Sequence, residues 1–340
     1  MLPSAPLRSR PARRFALALA ATGLVAWLDA GVPAALAQPA AAYPDRAITL
    51  IVPFPAGGPA DIVGRLYAQH LSRVSGQQVV VDNRVGAAGV IGTQAAASAV
   101  PSGHTVLFGS TSTQVINDLV IRKLPYDSAN DLSLVGLVAI APHILAVRQT
   151  LPASDVAALV AQARQHPGKF SFSSAGPGSI VQMGGELFKY RAGIDLLHVP
   201  YKGGGPATLA VLSGEADMTV NDLTTLKAHL DSGRLRALAV AHPTRLALLP
   251  GVPTFAELGI PGMVSSTWWA ISVPSRTPPP VQTILRSLHD RIVSDPDYEA
   301  RLAAMATEPL RLSLPQSAAF IAEEAQKWRA VVSAAKIEAQ

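Results

Sequence analysis

The chain has 340 residues, of which 49% are hydrophobic and 15% charged, a length that suits two ordinary domains and a balance that excludes intrinsic disorder. Its formal charge is +5, but Arg8, Arg10, Arg13, Arg14 and Asp29 lie in an N-terminal stretch expected to be removed, which leaves +2 and no clustered basic face for a nucleic-acid partner. There is no cysteine, which excludes disulfides, thiolate chemistry and cysteine-ligated metals and suits an oxidising compartment.

The N-terminal stretch has the order of a secretory signal. The basic segment from Arg8 to Arg14 runs into an apolar segment from Phe15 to Leu28, followed by Ala35-Leu36-Ala37, a small-x-small cleavage site. A membrane anchor is the alternative, but the apolar run is short for a span and is followed by the cleavage pattern. Residues 1–37 are therefore expected to be a signal peptide and the mature chain a soluble protein outside the cytoplasm, starting near Gln38. Arg13-Arg14 is compatible with twin-arginine export, although the surrounding motif is imperfect.

Residues 48–52 are nearly all apolar, as in a strand buried on both faces. They end at Pro53-Phe54-Pro55-Ala56-Gly57-Gly58, and Pro59 suits the first position of a helix. The unit then repeats. Strands at 79–81 and 105–108 are followed by Gly86-Ala87-Ala88-Gly89-Val90-Ile91-Gly92 and by Gly109-Ser110-Thr111-Ser112-Thr113. A second set begins with a strand at 144–147 and a helix over 155–164 for which Ser154 is the expected N-cap. Strands at 170–173, 196–199, 218–220 and 235–240 follow, three of them leading into Ser174-Ala175-Gly176-Pro177-Gly178-Ser179, Tyr201-Lys202-Gly203-Gly204-Gly205-Pro206 and Asn221-Asp222. Residues 268–273 read as a last strand, and 278–293, 298–305 and 315–336 as helices. Alternating strands and helices imply an α/β fold with a mostly parallel sheet. Two sets without a flexible linker imply two lobes joined by crossing strands.

In such folds ligands bind at the carboxyl ends of the strands. Here those ends carry glycines and hydroxyls. Gly57, Gly58, Gly86 and Gly89 let backbone approach a ligand, and the helix after each turn aims unpaired N–H groups at the same place, which suits a carboxylate or phosphate without Arg or Lys. Ser110, Thr111, Ser112, Ser173, Ser174 and Ser179 add donors, although such hydroxyls also serve as caps and turns. Asp61 reads equally as a favourable charge in its own first turn. Asp222 reads as an N-cap for the helix at Leu223 or as a partner for an amino group, with the cap the stronger reading. Trp268-Trp269 places one ring in the core and leaves one for a pocket. Arg84 and Lys202 stand beside these loops as surface residues or as charge for a ligand.

Enzymatic signatures are missing. Gly86, Gly89 and Gly92 do not form the dinucleotide fingerprint, and there is no phosphate loop, nucleophile elbow or His-Glu-x-x-His. The eight histidines are scattered, with no ligand spacing for a metal, and no nucleophile stands beside a base. The chemistry implied is binding, with no cofactor, no metal and no catalysis.

Taken together, Tyr43-Pro44, the segment from Ile51 to Asp61, the segment from Asn83 to Gly92, Ser174-Ala175-Gly176-Pro177-Gly178-Ser179, His198-Val199-Pro200-Tyr201-Lys202-Gly203 and the segment from Leu249 to Glu257 resemble the Bug-type extracytoplasmic solute receptors, the substrate-binding proteins of tripartite tricarboxylate transporters. The resemblance implies a two-lobed Venus-flytrap fold of the periplasmic-binding-protein class, each lobe a mixed or mostly parallel sheet flanked by helices. We place lobe 1 at residues 43–143 plus 268–340 and lobe 2 at 144–267. It implies a monomer that closes over a small organic acid and presents it to membrane transporter subunits. A sensory receptor feeding a membrane kinase would share the site, and a periplasmic enzyme on this scaffold is the remoter reading. Matching the family's loops residue by residue points to Phe54, Gly57, Gly58, Asp61, Ala88, Gly89 and Thr111 in the first lobe and to Ser174, Ala175, Gly176 and Ser179 in the second. Asp222 is kept from its own position after a strand. Pro59 stands where the family often has a small polar residue, and it removes one N–H donor.

Overall fold

The computed structural model describes residues 43–339, so the signal-peptide expectation lies outside the described residues. In chain order the elements are β1 (Ile48–Val52), α1 (Pro59–Ser75), β2 (Val79–Asn83), α2 (Val90–Ala97), β3 (Thr105–Ser110), α3 (Asn117–Val120) and β4 (Leu132–Arg148). Then come α4 (Val156–Gln165), β5 (Ser171–Ser174), α5 (Ile180–Ala192), β6 (Leu197–Pro200), α6 (Gly204–Ser213), β7 (Met218–Asp222), α7 (Leu223–Asp231) and β8 (Leu235–Val240). The chain finishes with β9 (Ser266–Pro274), α8 (Pro279–Val293), α9 (Pro296–Ala304), β10 (Glu308–Pro309) and α10 (Leu314–Ala334).

The strands run in the order β2-β1-β3-β9-β4-β7-β5-β6, with β8 and β10 also on β4. The outer strands are parallel: β2-β1-β3 at one end and β7-β5-β6 at the other. The centre is antiparallel, because β9 runs against β3 and β4, and β4 runs against β7 and β8. The sheet is therefore mixed, parallel where helical crossovers connect strands and antiparallel where β4 and β9 pass through the middle.

Strand β4 is the main departure from the sequence reading, which marked only residues 144–147 of it. Leu132 to Pro142 pair with β9, and His143 to Val147 pair with β7. Pro142 has no N–H to give a ladder, and a proline inside a central strand argues against the strand from sequence. Here it sits where the partner changes: its last opposite residue is Ser266, and the next residue, His143, faces Asp222. A smaller correction concerns α4. Its N-cap is Asp155, whose carboxylate accepts the Ala158 N–H at 2.8 Å, and Ser154 only hydrogen-bonds to Asp155.

Successive residues of β9 point to opposite faces, so Trp268 and Trp269 enter different cores. Trp268 is buried with Phe320 edge-on and donates its indole N–H to Glu324 of α10. Trp269 is buried against Phe108 of β3, in the core that α1 and α8 cover. The other large core gathers α4, α5 and α10 with β5 and β7.

Gly92, in the first turn of α2, has a packing role. A Cβ there would lie 2.7 Å from the Arg84 carbonyl oxygen and 2.8 Å from Pro53 Cα, which is backbone that cannot swing away. Gly92→Ala should cost about 1–3 kcal/mol through overpacking, read as a lower urea midpoint at unchanged slope. A midpoint at or above that of the parent would show that the contact between α2 and the β1 loop yields freely.

Candidate functional site

Five strands deliver their carboxyl ends to one cleft. The loop after β1 brings Phe54, Gly58, Pro59 and Ala60, and β3 brings Ser110 and then Ser112. The turn after β5 brings Ala175, Ser179, Ile180 and Val181, the turn after β6 brings Gly204 and Gly205, and β7 ends in Asp222. Thr267 and Trp269 of β9 close the floor. About 440 Å³ of space lies between the walls of this inner cavity, part of it open to solvent, and no Lys or Arg lines it. A second cavity of about 430 Å³ adjoins it through Phe54, Pro55 and Ala175 and is lined by Ala88, Gly89, Gly176 and Lys202. The exposed Lys202 is the one basic side chain lining either cavity.

Helix starts bring backbone amides to the inner cavity alongside its hydroxyls. The first turn of a helix leaves its N–H groups without intrahelical partners. Ala60 opens α1, Val181 opens α5, and Gly204 and Gly205 open α6, all on the cavity wall. Three helix N-termini converge there, each with the positive end of its dipole inward. The arrangement accommodates an anion, and it draws on both sides of the β4 partner change. Those sides also touch directly: the Ile180 N–H donates to Ser112 Oγ at 2.9 Å, and Pro55 packs so close to Gly203 that a Cβ there would come within 2.9 Å of its ring.

The residues singled out from sequence divide into wall and frame. Phe54, Gly58, Ala175, Ser179 and Asp222 line the inner cavity, and Ala88, Gly89 and Gly176 the outer one. Gly57, Asp61, Thr111 and Ser174 line neither and hold the loops in place. Asp61 accepts from the Gly57 N–H, Asn83 Nδ2 and Arg65 Nε, each at 2.9 Å. Burial pushes its carboxyl up, but the hydrogen bonds from Arg65, Gly57 and Asn83 outweigh this and hold it below the usual range. Thr111 Oγ1 accepts the Trp268 N–H at 2.9 Å and so ties the β3 loop to β9. Ser174 Oγ lies 2.6 Å from His198 Nε2 and accepts the Gly176 N–H. Ser179 touches the cavity with its hydroxyl already engaged, donating to the Gly176 carbonyl at 2.6 Å and capping α5 by accepting the Gln182 N–H.

Wall residues outside the candidate set include Ser110, Ser112, Thr267, Trp269 and the Gly204-Gly205 pair. Ser110 Oγ is buried and has no partner. The two serines were legible as part of a hydroxyl run after a strand. Thr267 was not, because nothing in the sequence places the start of β9 against the ends of β3 and β7.

Asp222 departs from its cap reading. It occupies the N-cap position of α7, yet its side chain makes no capping bond. The residue is 1% exposed, and Oδ1 has no hydrogen-bond partner. Behind it, His143 Nε2 lies 3.0 Å from Thr267 Oγ1 and 3.6 Å from Asp222 Oδ1, while Nδ1 meets Ser265 Oγ at 2.9 Å. Burial pushes Asp222 up to about 7, against a smaller lowering by the Thr267 hydroxyl. Burial pushes His143 down to about 3. The imidazole is therefore neutral at working pH, and the pair is a hydrogen-bonding neighbourhood rather than an ion pair. No group of three His, Asp or Glu side chains suited to a metal occurs among the described residues.

The shifted carboxyl has a consequence for stability. Between 3.8 and about 7 the folded state holds more protons at Asp222 than the unfolded chain does, so this residue's contribution falls as pH rises. His143 works the other way between about 3 and 6.5, so the difference between two proteins isolates Asp222. The melting temperature of Asp222→Asn minus that of the parent should climb from pH 4 to pH 8. A flat difference would mean that the carboxyl is solvated in solution.

Comparison with known proteins places this geometry. Residues 63–337 match the model of the TctC family, the tripartite tricarboxylate transporter family receptors. Protein BugT of Bordetella pertussis is 38% identical over 303 residues, covering 88% of this chain and 93% of that protein. Among solved structures, that of R. palustris Rpa4515 with adipate is 33% identical, with a TM-score of 0.84 over 87% of this chain and 99% of that one. MatC from Rhodopseudomonas palustris with bound malate is 29% identical, with a TM-score of 0.80 over 85% of this chain and 100% of that one. The chain belongs to the tripartite tricarboxylate transporter receptor family and has the two-lobed α/β periplasmic-binding-protein fold of its relatives.

Proposed function

We propose that this protein is a periplasmic receptor that captures a small organic acid between its two halves and hands it to the membrane subunits of a tripartite transporter, without catalysing a reaction. One observation supports it above the others: a cavity lined by no basic side chain gathers the N-termini of three helices drawn from both sides of the β4 partner change. A carboxylate held this way recruits amides from both halves, so the bound anion favours the closed arrangement. We place the boundary between the lobes near residues 142–143 and 266–268, where β4 changes partners and β9 begins. The relatives with adipate and with malate point to acids that carry a carboxylate at each end. Export to the periplasm rests on the N-terminal pattern and the family, and no described helix is long and apolar enough to cross a membrane.

Aliphatic dicarboxylates of about four to six carbons should stabilise the exported protein in a thermal-shift screen, by about 2.7 kcal/mol at one hundred times the dissociation constant. Phosphate and neutral sugars should leave it unmoved. If no acid, with or without an amino group, shifts the transition of ligand-free protein, the receptor reading is wrong.

Ser112→Ala removes the acceptor that holds the Ile180 amide across the cleft. It should weaken acid binding about five- to tenfold, the worth of one hydrogen bond, with little change in the stability of ligand-free protein. Equal affinity by calorimetry would show that closure does not use this contact.

A further inference from the structure

The amides of the cavity account for an anion, and the floor of the same cavity holds a group that an anion does not satisfy. Asp222 lines the inner cavity, and its buried Oδ1 has no hydrogen-bond partner. A buried acceptor left unpaired carries a desolvation cost unless a ligand atom meets it. The protein supplies no charge to meet it. The nearest titratable side chain is His143 of β4, which is neutral. Lys327 of α10 is felt at His143 without being bonded to Asp222, and no Lys or Arg lines the cavity. The groups sharing the wall with Asp222 include two hydroxyl oxygens: Thr267 Oγ1, and Ser110 Oγ, which is itself unpartnered. A buried carboxyl that an incoming cation would hold ionised, with hydroxyl oxygens nearby to accept, is the surrounding that an ammonium group takes.

We propose that Asp222 makes this receptor selective for acids that also carry an ammonium group, with the ligand carboxylate on the helix N-termini and its ammonium on Asp222. The inference rests on the receptor reading above and narrows its substrate class to amino acids and related zwitterions. A ligand bearing both charges offsets the Asp222 charge within the closed site. A plain diacid of the same length leaves that carboxyl facing either nothing or a second anion, which is how a site built for one polar group rejects the analogue lacking it.

The test is isothermal calorimetry on the exported, dialysed protein with matched pairs that differ only by the ammonium group: aspartate against succinate, and glutamate against glutarate. In the parent the amino-bearing member of at least one pair should bind at least about tenfold tighter, as expected for a charge-assisted hydrogen bond in a dry site. In Asp222→Asn that ratio should collapse towards one. The comparison in the parent stands whether or not the variant folds well. A plain diacid that binds as tightly as its amino partner overturns the proposal and leaves the receptor reading intact. The same holds for a plain diacid whose affinity rises as pH falls, the mark of a protonated Asp222 shared with a second carboxylate. An ammonium preference that survives in Asp222→Asn removes Asp222 from the role. If no member of either pair binds, and no other acid does, the receptor reading fails and this proposal with it.

Discussion

Strand β4 is shared by two sets of neighbours, and the point where it changes from one to the other positions everything that bears on function. Up to Pro142 it belongs with β9 and, through it, with the β1–β3 side; from His143 it belongs with β7 and β8. A strand without a free N–H at the junction can leave one partner without orphaning a ladder donor. The strand partners of the residues flanking the junction are at the floor of the cavity: His143 faces Asp222 on one side, and Ala141 faces Thr267 on the other. The cleft is thus the outer expression of a change of partner inside the sheet.

The electrostatic design follows from the same layout. Strands β1, β5 and β6, drawn from both sides, each lead into a helix that starts at the cleft, so the amides of three first turns face one volume. An anion can be held there by partial charges fixed in the backbone, at no cost in ordering long flexible cations. Side-chain hydroxyls serve mostly to set the loops: Thr111 ties β3 to β9, Ser174 and Ser179 shape the turn after β5, and Ser112 links the two sides through the Ile180 amide. Asp61 anchors the loop after β1 in the same way, as an ionised carboxylate with three donors. Asp222, in contrast, has burial without partners, and for that reason its carboxyl sits well above its ordinary range.

Much of this was legible in the residue order because local signals are strong where strand, glycine turn and helix follow one another. The apolar run before Pro53, the proline at the start of α1 and the glycine-hydroxyl turns after β3 and β5 each carry their structure in a few adjacent residues. The family resemblance used those same loops. What escaped was non-local. The first two thirds of β4 were hidden by Pro142, and Thr267 belongs to the cavity only through strands more than a hundred residues away in the chain.

From its order alone, then, the sequence determined an α/β chain whose strand ends present amides and hydroxyls to an acid, since periodicity, turn chemistry and helix starts are short-range properties of the backbone. The tertiary structure decided which of those groups face the ligand space and which brace it. Asp61 and Asp222 are the clearest pair: both are aspartates at the start of a helix, one held ionised by Gly57 and Arg65 of its own turn together with Asn83, which the pairing of β1 with β2 brings to it, the other buried with an oxygen left unpaired that no local pattern records. The charge state of a buried carboxyl depends on what surrounds it in space, and neighbours in sequence do not supply that information.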